Sequence, residues 1–191
     1  KANGIGNVAW TAMDPPLRET MLVRGDIDAI TGFSFTSLLN LEARGVKTED
    51  VVVLPYPAHG VKLYGNAIIV GEAFLKKNPE AVKAFLRGFT QGVKDVIADP
   101  KAGVDLVKAR DGIINADLEL RRLKLALDAS VLTPDARAEG FGAVSGPRLS
   151  LMASQVADAF ATKERINPDA VWNSTFLPPA TERNIFATAK K

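Results

Sequence analysis

Between Asn7 and Leu54 the hydrophobic period changes repeatedly, and this constrains the fold more than any other feature. Asn7 to Met13, with Val8 and Trp10 alternating with smaller residues, reads as a short strand. Asp14 follows as an N-cap, and Pro15-Pro16 suits a first helical turn, where a missing N–H costs nothing. Leu17, Met21 and Leu22 then make a buried helical stripe that Gly25 ends. Ile27 to Thr31 predicts a second strand. Leu38, Leu39 and Leu41 predict a second helix ending at Gly45, and Val51 to Leu54, bounded by Pro55 and Pro57, a third strand. Loops this short between alternating strands and helices argue for parallel pairing through right-handed crossovers, an α/β unit.

Beyond a turn-rich passage from Pro55 to Lys62, "YGNAIIV" (Tyr64 to Val70) predicts one more strand, and helices follow. Asn78 serves as N-cap with Pro79 and Glu80 in the first turn. Val82, Phe85, Phe89, Val93, Val96 and Ile97 recur every three or four residues, which predicts one wide buried face on a continuous helix from Glu80 to Ala98. Lys101 to Ala109 predicts a shorter helix. Leu120, Leu123, Leu127 and Val131 stripe another, and Leu149, Met152, Val156 and Phe160 a last one entered through Ser145 and Pro147. The change of character divides the chain into an α/β lobe, residues 1–61, and a mostly helical part with one strand, residues 62–191. A lone strand leaves its backbone groups unpaired, so Ala67 to Val70 calls for a sheet that this chain does not obviously supply. Lys1 to Gly4 reads as the last turn of a helix with Gly4 as its stop. Both features predict a chain that begins mid-fold, a fragment of something longer.

Composition narrows the chemistry. Cysteine is absent, which excludes disulfides, thiolate zinc sites and a cysteine nucleophile, and a single histidine, His59, excludes a multi-histidine metal site. His59 has no evident nucleophile or orienting partner, and no pair of carboxyl residues is placed for acid–base work, so no catalytic residue and no cofactor are expected. Lys and Arg number 24 against 22 Asp and Glu, and the small excess is scattered, which argues against a nucleic-acid partner. No apolar run approaches the ~20 residues of a membrane helix.

The stretch "DAITGFSFTS" (Asp28 to Ser37) is the first candidate for a site. In an open parallel sheet, ligands bind beyond the carboxyl ends of strands, where helices begin. Gly32 allows close backbone approach, Ser34, Thr36 or Ser37 can cap the helix, and Phe33 or Phe35 can stack on a planar group. Two readings stand: a capped connection with two core rings, or a pocket wall. Asp14 holds the equivalent place after the first strand, as an N-cap or as a partner for an amine or hydroxyl. Tyr64, Gly65 and Asn66 open the last strand, either as an ordinary entry or as a cleft edge where Asn66 donates and accepts.

"DPPLRETMLVRGDIDAITGFSFTSLLNLEARGV" and "LYGNAIIVGEAFLKKNPEAVKAFLRGFTQGVKDVIADP", with "DAVWNSTFLPPATER" near the end, resemble solute-binding proteins of ABC importers in the nitrate, taurine, alkanesulfonate and thiamine-pyrimidine-precursor group. The resemblance implies a two-lobed periplasmic-binding-protein-like (type II) α/β fold that is N-terminally incomplete. Residues 1–61 would be the C-terminal half of the second lobe, and residues 62–191 the returning strand and helices of the first lobe with the C-terminal tail. It implies a small-molecule solute held in an inter-lobe cleft by Asp14, Gly32, Phe33, Ser34, Ser37, Tyr64 and Asn66. It also implies an ABC permease in the membrane as partner, a periplasmic or exported and lipid-anchored location, and another copy or an upstream segment covering the open strand. A regulator's sensing domain shares the design, as does a pyrimidine synthase that relies on cysteines and histidine, which this chain lacks. Arg18 and Arg24 read as solvent-side helix residues, so no arginine is evident for a sulfonate. Phe33, Phe35 and Tyr64 instead suit an uncharged or planar organic ligand.

Overall fold

The first helix, α1 (Pro15–Arg24), starts and stops where the sequence predicts. Asp14 holds the N-cap position in extended backbone and the amide of Leu17 bonds its carbonyl at 3.0 Å, but the Asp14 side chain makes no capping bond. Gly25 ends the helix at φ 73°, in the left-handed region that favours glycine. The computed structural model describes residues 6–187, so the expected helical turn at Lys1 to Gly4 lies outside the described residues. The chain parts into two compact units, Lys1–Val53 and Leu54–Lys191.

In the first unit α1 packs on α2 (Ser34–Glu42). This helix begins four residues before the expected Leu38, because the Phe33 carbonyl accepts from the amides of both Thr36 and Ser37 at 3.0 Å and closes a turn there. The hydroxyl residues expected in a loop therefore stand in the first turn, and none of them caps it. Leu39 and Leu41 are buried, as expected of the stripe. The stripe predicted for α1 is only partly buried: Met21 and Leu22 are half-buried and Leu17 is exposed, while Glu19, on the Leu22 face, is nearly sealed, at 1% exposure.

The second unit is helical. It holds α3 (Glu72–Lys77), α4 (Pro79–Ala98), α5 (Pro100–Arg110) and α6 (Ala116–Ala126). A π turn at Leu127–Val131 continues α6, and α7 (Pro134–Glu139), α8 (Gly146–Phe160) and α9 (Pro168–Val171) follow. Its core is built on Ile97, Leu127 and Ile185, with Val93, Leu123, Val131, Leu132, Phe141 and Phe186 packed around them. The wide buried face predicted for α4 is only partly realised. Val82 and Ile97 are buried, while Phe85 and Phe89 stand exposed, their rings stacked 6.2 Å apart. No helix among the described residues is long and apolar enough to cross a membrane.

Two arginines organise this unit. Arg148 on α8 donates from Nε to the Lys62 carbonyl at 3.2 Å and from Nη2 to the Leu63 carbonyl at 2.8 Å. It pairs with Asp135 and lies 4.2 Å over the Tyr64 ring. One turn on, Met152 sulfur accepts the Tyr64 amide at 3.4 Å, and Gln155 Nε2 donates to the Gly60 carbonyl at 2.9 Å. Residues three and four apart share a helix face, so one stripe of α8 grips the backbone of 60–64. Arg183 does the same for the tail: Nε binds the Pro178 carbonyl at 2.9 Å, and Nη1 binds the carbonyls of Phe141 at 3.0 Å and Glu139 at 3.3 Å.

The strands expected at Asn7 to Met13, Ile27 to Thr31, Val51 to Leu54 and Tyr64 to Val70 do not form among the described residues; these segments run outside regular structure. The physical reason is pairing. A strand's N–H and C=O groups are satisfied only by a neighbouring strand, and none is brought alongside. The apolar side chains that would face a sheet's cover stand open, with Trp10 82%, Val52 84% and Ile69 90% exposed. The described residues are thus helical, and the strands of the expected α/β architecture are not among them.

Candidate functional site

The sequence-selected residues fall into two groups, one in each unit. In the first unit Gly32, Phe33, Ser34 and Ser37 lie around the start of α2, and Asp14 precedes α1. Arg18, read from sequence as a solvent-side residue, turns inward along this loop. Its Nη1 donates to the Thr31 carbonyl at 2.5 Å and its Nε to the Pro15 carbonyl at 3.3 Å. The guanidinium thereby ties the start of α1, beside Asp14, to the loop. Gly32 leaves room for this contact: a Cβ there would lie 2.9 Å from Arg18 Nη1, the end of a flexible side chain, and 3.3 Å from Ser37 Oγ.

Phe33 and Phe35 stack with ring centroids 5.2 Å apart at 22°. Phe33 is 45% exposed, so the pair presents one open aromatic face rather than two core rings. Ser34, the first residue of α2, is exposed, and its amide and that of Phe35 precede the first bonds of the helix, where the dipole is positive. Ser37 is different. Its Oγ donates to Glu19 Oε1 at 2.8 Å and the residue is buried. Of the hydroxyls singled out for ligand contact, Ser34 stands open and Ser37 is taken up inside the fold.

The sequence pattern puts Arg18 on the solvent side and does not single out Glu19. Glu19 lies three residues before Leu22, on the same helix face, and that spacing was the available signal. Arg18 carried none, since its partner carbonyl is thirteen residues away in the sequence.

In the second unit Tyr64 is half-buried and fully engaged. Its hydroxyl accepts the Ser145 amide at 2.8 Å, and its ring carries Arg148. Asn66 is exposed. A groove of about 460 Å³ between α4 and the tail, lined by Ala84, Arg87, Gly88, Thr90, Pro178 and Glu182, contains none of the sequence-selected residues. Arg87 and Glu182 close it with an ion pair at 2.9 Å. Among the described residues no group of three His, Asp or Glu side chains converges to hold a metal ion.

The segment combines an open aromatic face with hydrogen-bond donors close in sequence or held against it: the Ser34 hydroxyl, two helix-start amides and the Arg18 guanidinium at Thr31. Such a surface suits a flat molecule bearing carbonyl or other acceptor groups.

The chain is 27% identical over 106 residues to the riboflavin-binding protein RibY of Chloroflexus aurantiacus; the match takes in 55% of this chain and 29% of that protein. No solved structure matches the chain. A model of the NMT1/THI5-like family matches residues 1–103, more than half of the chain, including α1, the loop at Gly32, the whole of α4 and the start of α5. The chain belongs to the NMT1/THI5-like family.

Proposed function

We propose that this protein captures a small planar organic solute and delivers it to an ABC permease. The observation that carries the reading is the open face of Phe33, backed by Phe35 and edged by Arg18 and Ser34. A flat heteroaromatic ring lies against the phenylalanine, and its carbonyl oxygens accept from the guanidinium, the hydroxyl and the first amides of α2. The relative's name supports this, since riboflavin is such a ring system. Arg18 modifies the expectation drawn from sequence: the ligand carries acceptors, and an anionic group is compatible with the same donors.

In this reading the loop 32–37 forms one wall of an inter-lobe cleft, with Asp14 at its margin and Asn66 as a further contact. Residues 1–61 belong to the second lobe and residues 62–191 to the first. The exposed apolar segments around Trp10, Val52 and Ile69 pair with strands of a further segment of the protein or of another copy. The protein works in the periplasm or as an exported, lipid-anchored form, and binding and release replace chemistry.

Calorimetric titration of riboflavin and of a panel of flat heterocycles into the full-length protein tests the reading. Saturable binding of at least one flat heterocycle is the expected result. Preference for flexible aliphatic solutes over every flat one sinks it.

A further inference from the structure

The loop that bears Phe33 and Ser34 is held at both ends by consecutive residues of α1. Arg18 donates to the Thr31 carbonyl before it, and Glu19 accepts from Ser37 Oγ after it. Gly32 lies between the two contacts, with the positions of Arg18 Nη1 and Ser37 Oγ both closing on the place where a Cβ would stand. Neither contact is needed to end or begin a helix: Gly25 stops α1, and the Phe33 carbonyl closes the first turn of α2 without side-chain help. Their effect is on the loop.

We infer that Arg18 and Glu19 form a two-point clamp that fixes the recognition loop in its binding conformation, which makes them positioning residues for the solute site. The inference rests on the solute-binding reading above. A stacking surface is effective only if its ring is held before the ligand arrives; ordering it on binding consumes affinity. One end of the clamp is exposed and charged, the other buried, so the two ends fail differently. Replacing Gly32 with alanine pushes against the far end of a flexible arginine, which yields without unfolding the helix pair.

The test has two arms, both on the full-length protein. The first needs no ligand. Backbone amide exchange is followed at Thr36 and Ser37 in wild type, Gly32→Ala, Arg18→Met and the double variant. The clamp requires faster exchange in each single variant, with the C-terminal turn of α2 unchanged and no further acceleration in the double variant, because the alanine then has no guanidinium to displace. The second arm titrates riboflavin into wild type and Gly32→Ala, which removes no donor to the solute: the variant binds roughly tenfold more weakly at an unchanged melting temperature, while Arg18→Met, which also removes a donor, is read in the exchange arm alone. Unchanged exchange overturns the clamp. Faster exchange with undiminished riboflavin affinity overturns its role in recognition. A wild type that binds no flat solute sinks the solute reading, and the exchange arm then still decides the clamp.

Discussion

Ser37 Oγ donates to Glu19 Oε1 at 2.8 Å in a pocket so closed that Glu19 is 1% exposed. A buried carboxyl oxygen that loses its donor bears a desolvation cost with nothing to offset it. Ser37→Ala therefore destabilises the protein by about 1–3 kcal/mol, read from urea denaturation. Glu19→Leu combined with Ser37→Ala recovers most of that loss, since replacing both partners with apolar groups leaves nothing unsatisfied. A single variant within about 0.5 kcal/mol of wild type, the range of an ordinary surface change, contradicts the burial described here.

The grip of α8 on 60–64 makes a graded prediction. Arg148 supports two carbonyls, an ion pair and a stacked ring, so Arg148→Leu lowers stability by about 2–4 kcal/mol. Tyr64→Phe keeps the ring and loses the acceptor for the Ser145 amide, a loss of about 0.5–1.5 kcal/mol. Chemical denaturation of both variants checks the order; a larger effect from Tyr64→Phe would mean that the hydroxyl, and not the arginine, holds the segment.

Glycine substitutions separate two backbone conformations. Gly140 adopts φ 86° and ψ 153°, a region open essentially to glycine, and a Cβ there meets Arg183 Nη1 at 2.9 Å. Gly25, at φ 73° and ψ 17°, has open space around it. Gly140→Ala costs about 2–4 kcal/mol and Gly25→Ala about 1 kcal/mol. Thermal melts of the two variants give the ranking, and equal losses would remove Arg183 from the explanation.

Most helices were legible because their signals are local. Pro15-Pro16, Gly25, Asn78-Pro79 and Ser145 with Pro147 mark starts and stops without reference to the rest of the fold. The start of α2 was missed by four residues because it depends on the Phe33 carbonyl, a backbone matter that the hydroxyl pattern obscured. Strands are the opposite case: "VVVL" and "NAIIV" have strand composition, but a strand exists only with a partner, and the partner is not written in the segment itself. The candidate site was half legible. Phe33 and Ser34 announced themselves as a ring and a hydroxyl at a helix start, whereas Arg18 has the pattern of a solvent-side helix residue and Glu19 shows its burial only through its spacing to Leu22. Tyr64 stood between an ordinary strand entry and a cleft edge, and its bond to the Ser145 amide, 81 residues away, was not legible in the sequence.

The exposed aromatic face yields a prediction that separates binding from stability. Ser34 and the outer face of Phe33 contribute little packing, so Ser34→Ala changes stability by no more than about 0.5 kcal/mol. The same variant weakens solute binding by about 0.5–1.5 kcal/mol through one lost hydrogen bond. Parallel melts and titrations distinguish this from a capping role, in which stability falls and affinity does not.

The central claim is that Phe33 is the stacking wall of a site for a flat solute. The most direct measurement is calorimetric titration of riboflavin into the full-length protein and into its Phe33→Ala variant under identical conditions. The account predicts saturable one-to-one binding by the wild type and an affinity lower by about 1–3 kcal/mol in the variant, the scale of aromatic stacking on a planar base, with the melting temperature nearly unchanged. Equal affinity in the two proteins would contradict it.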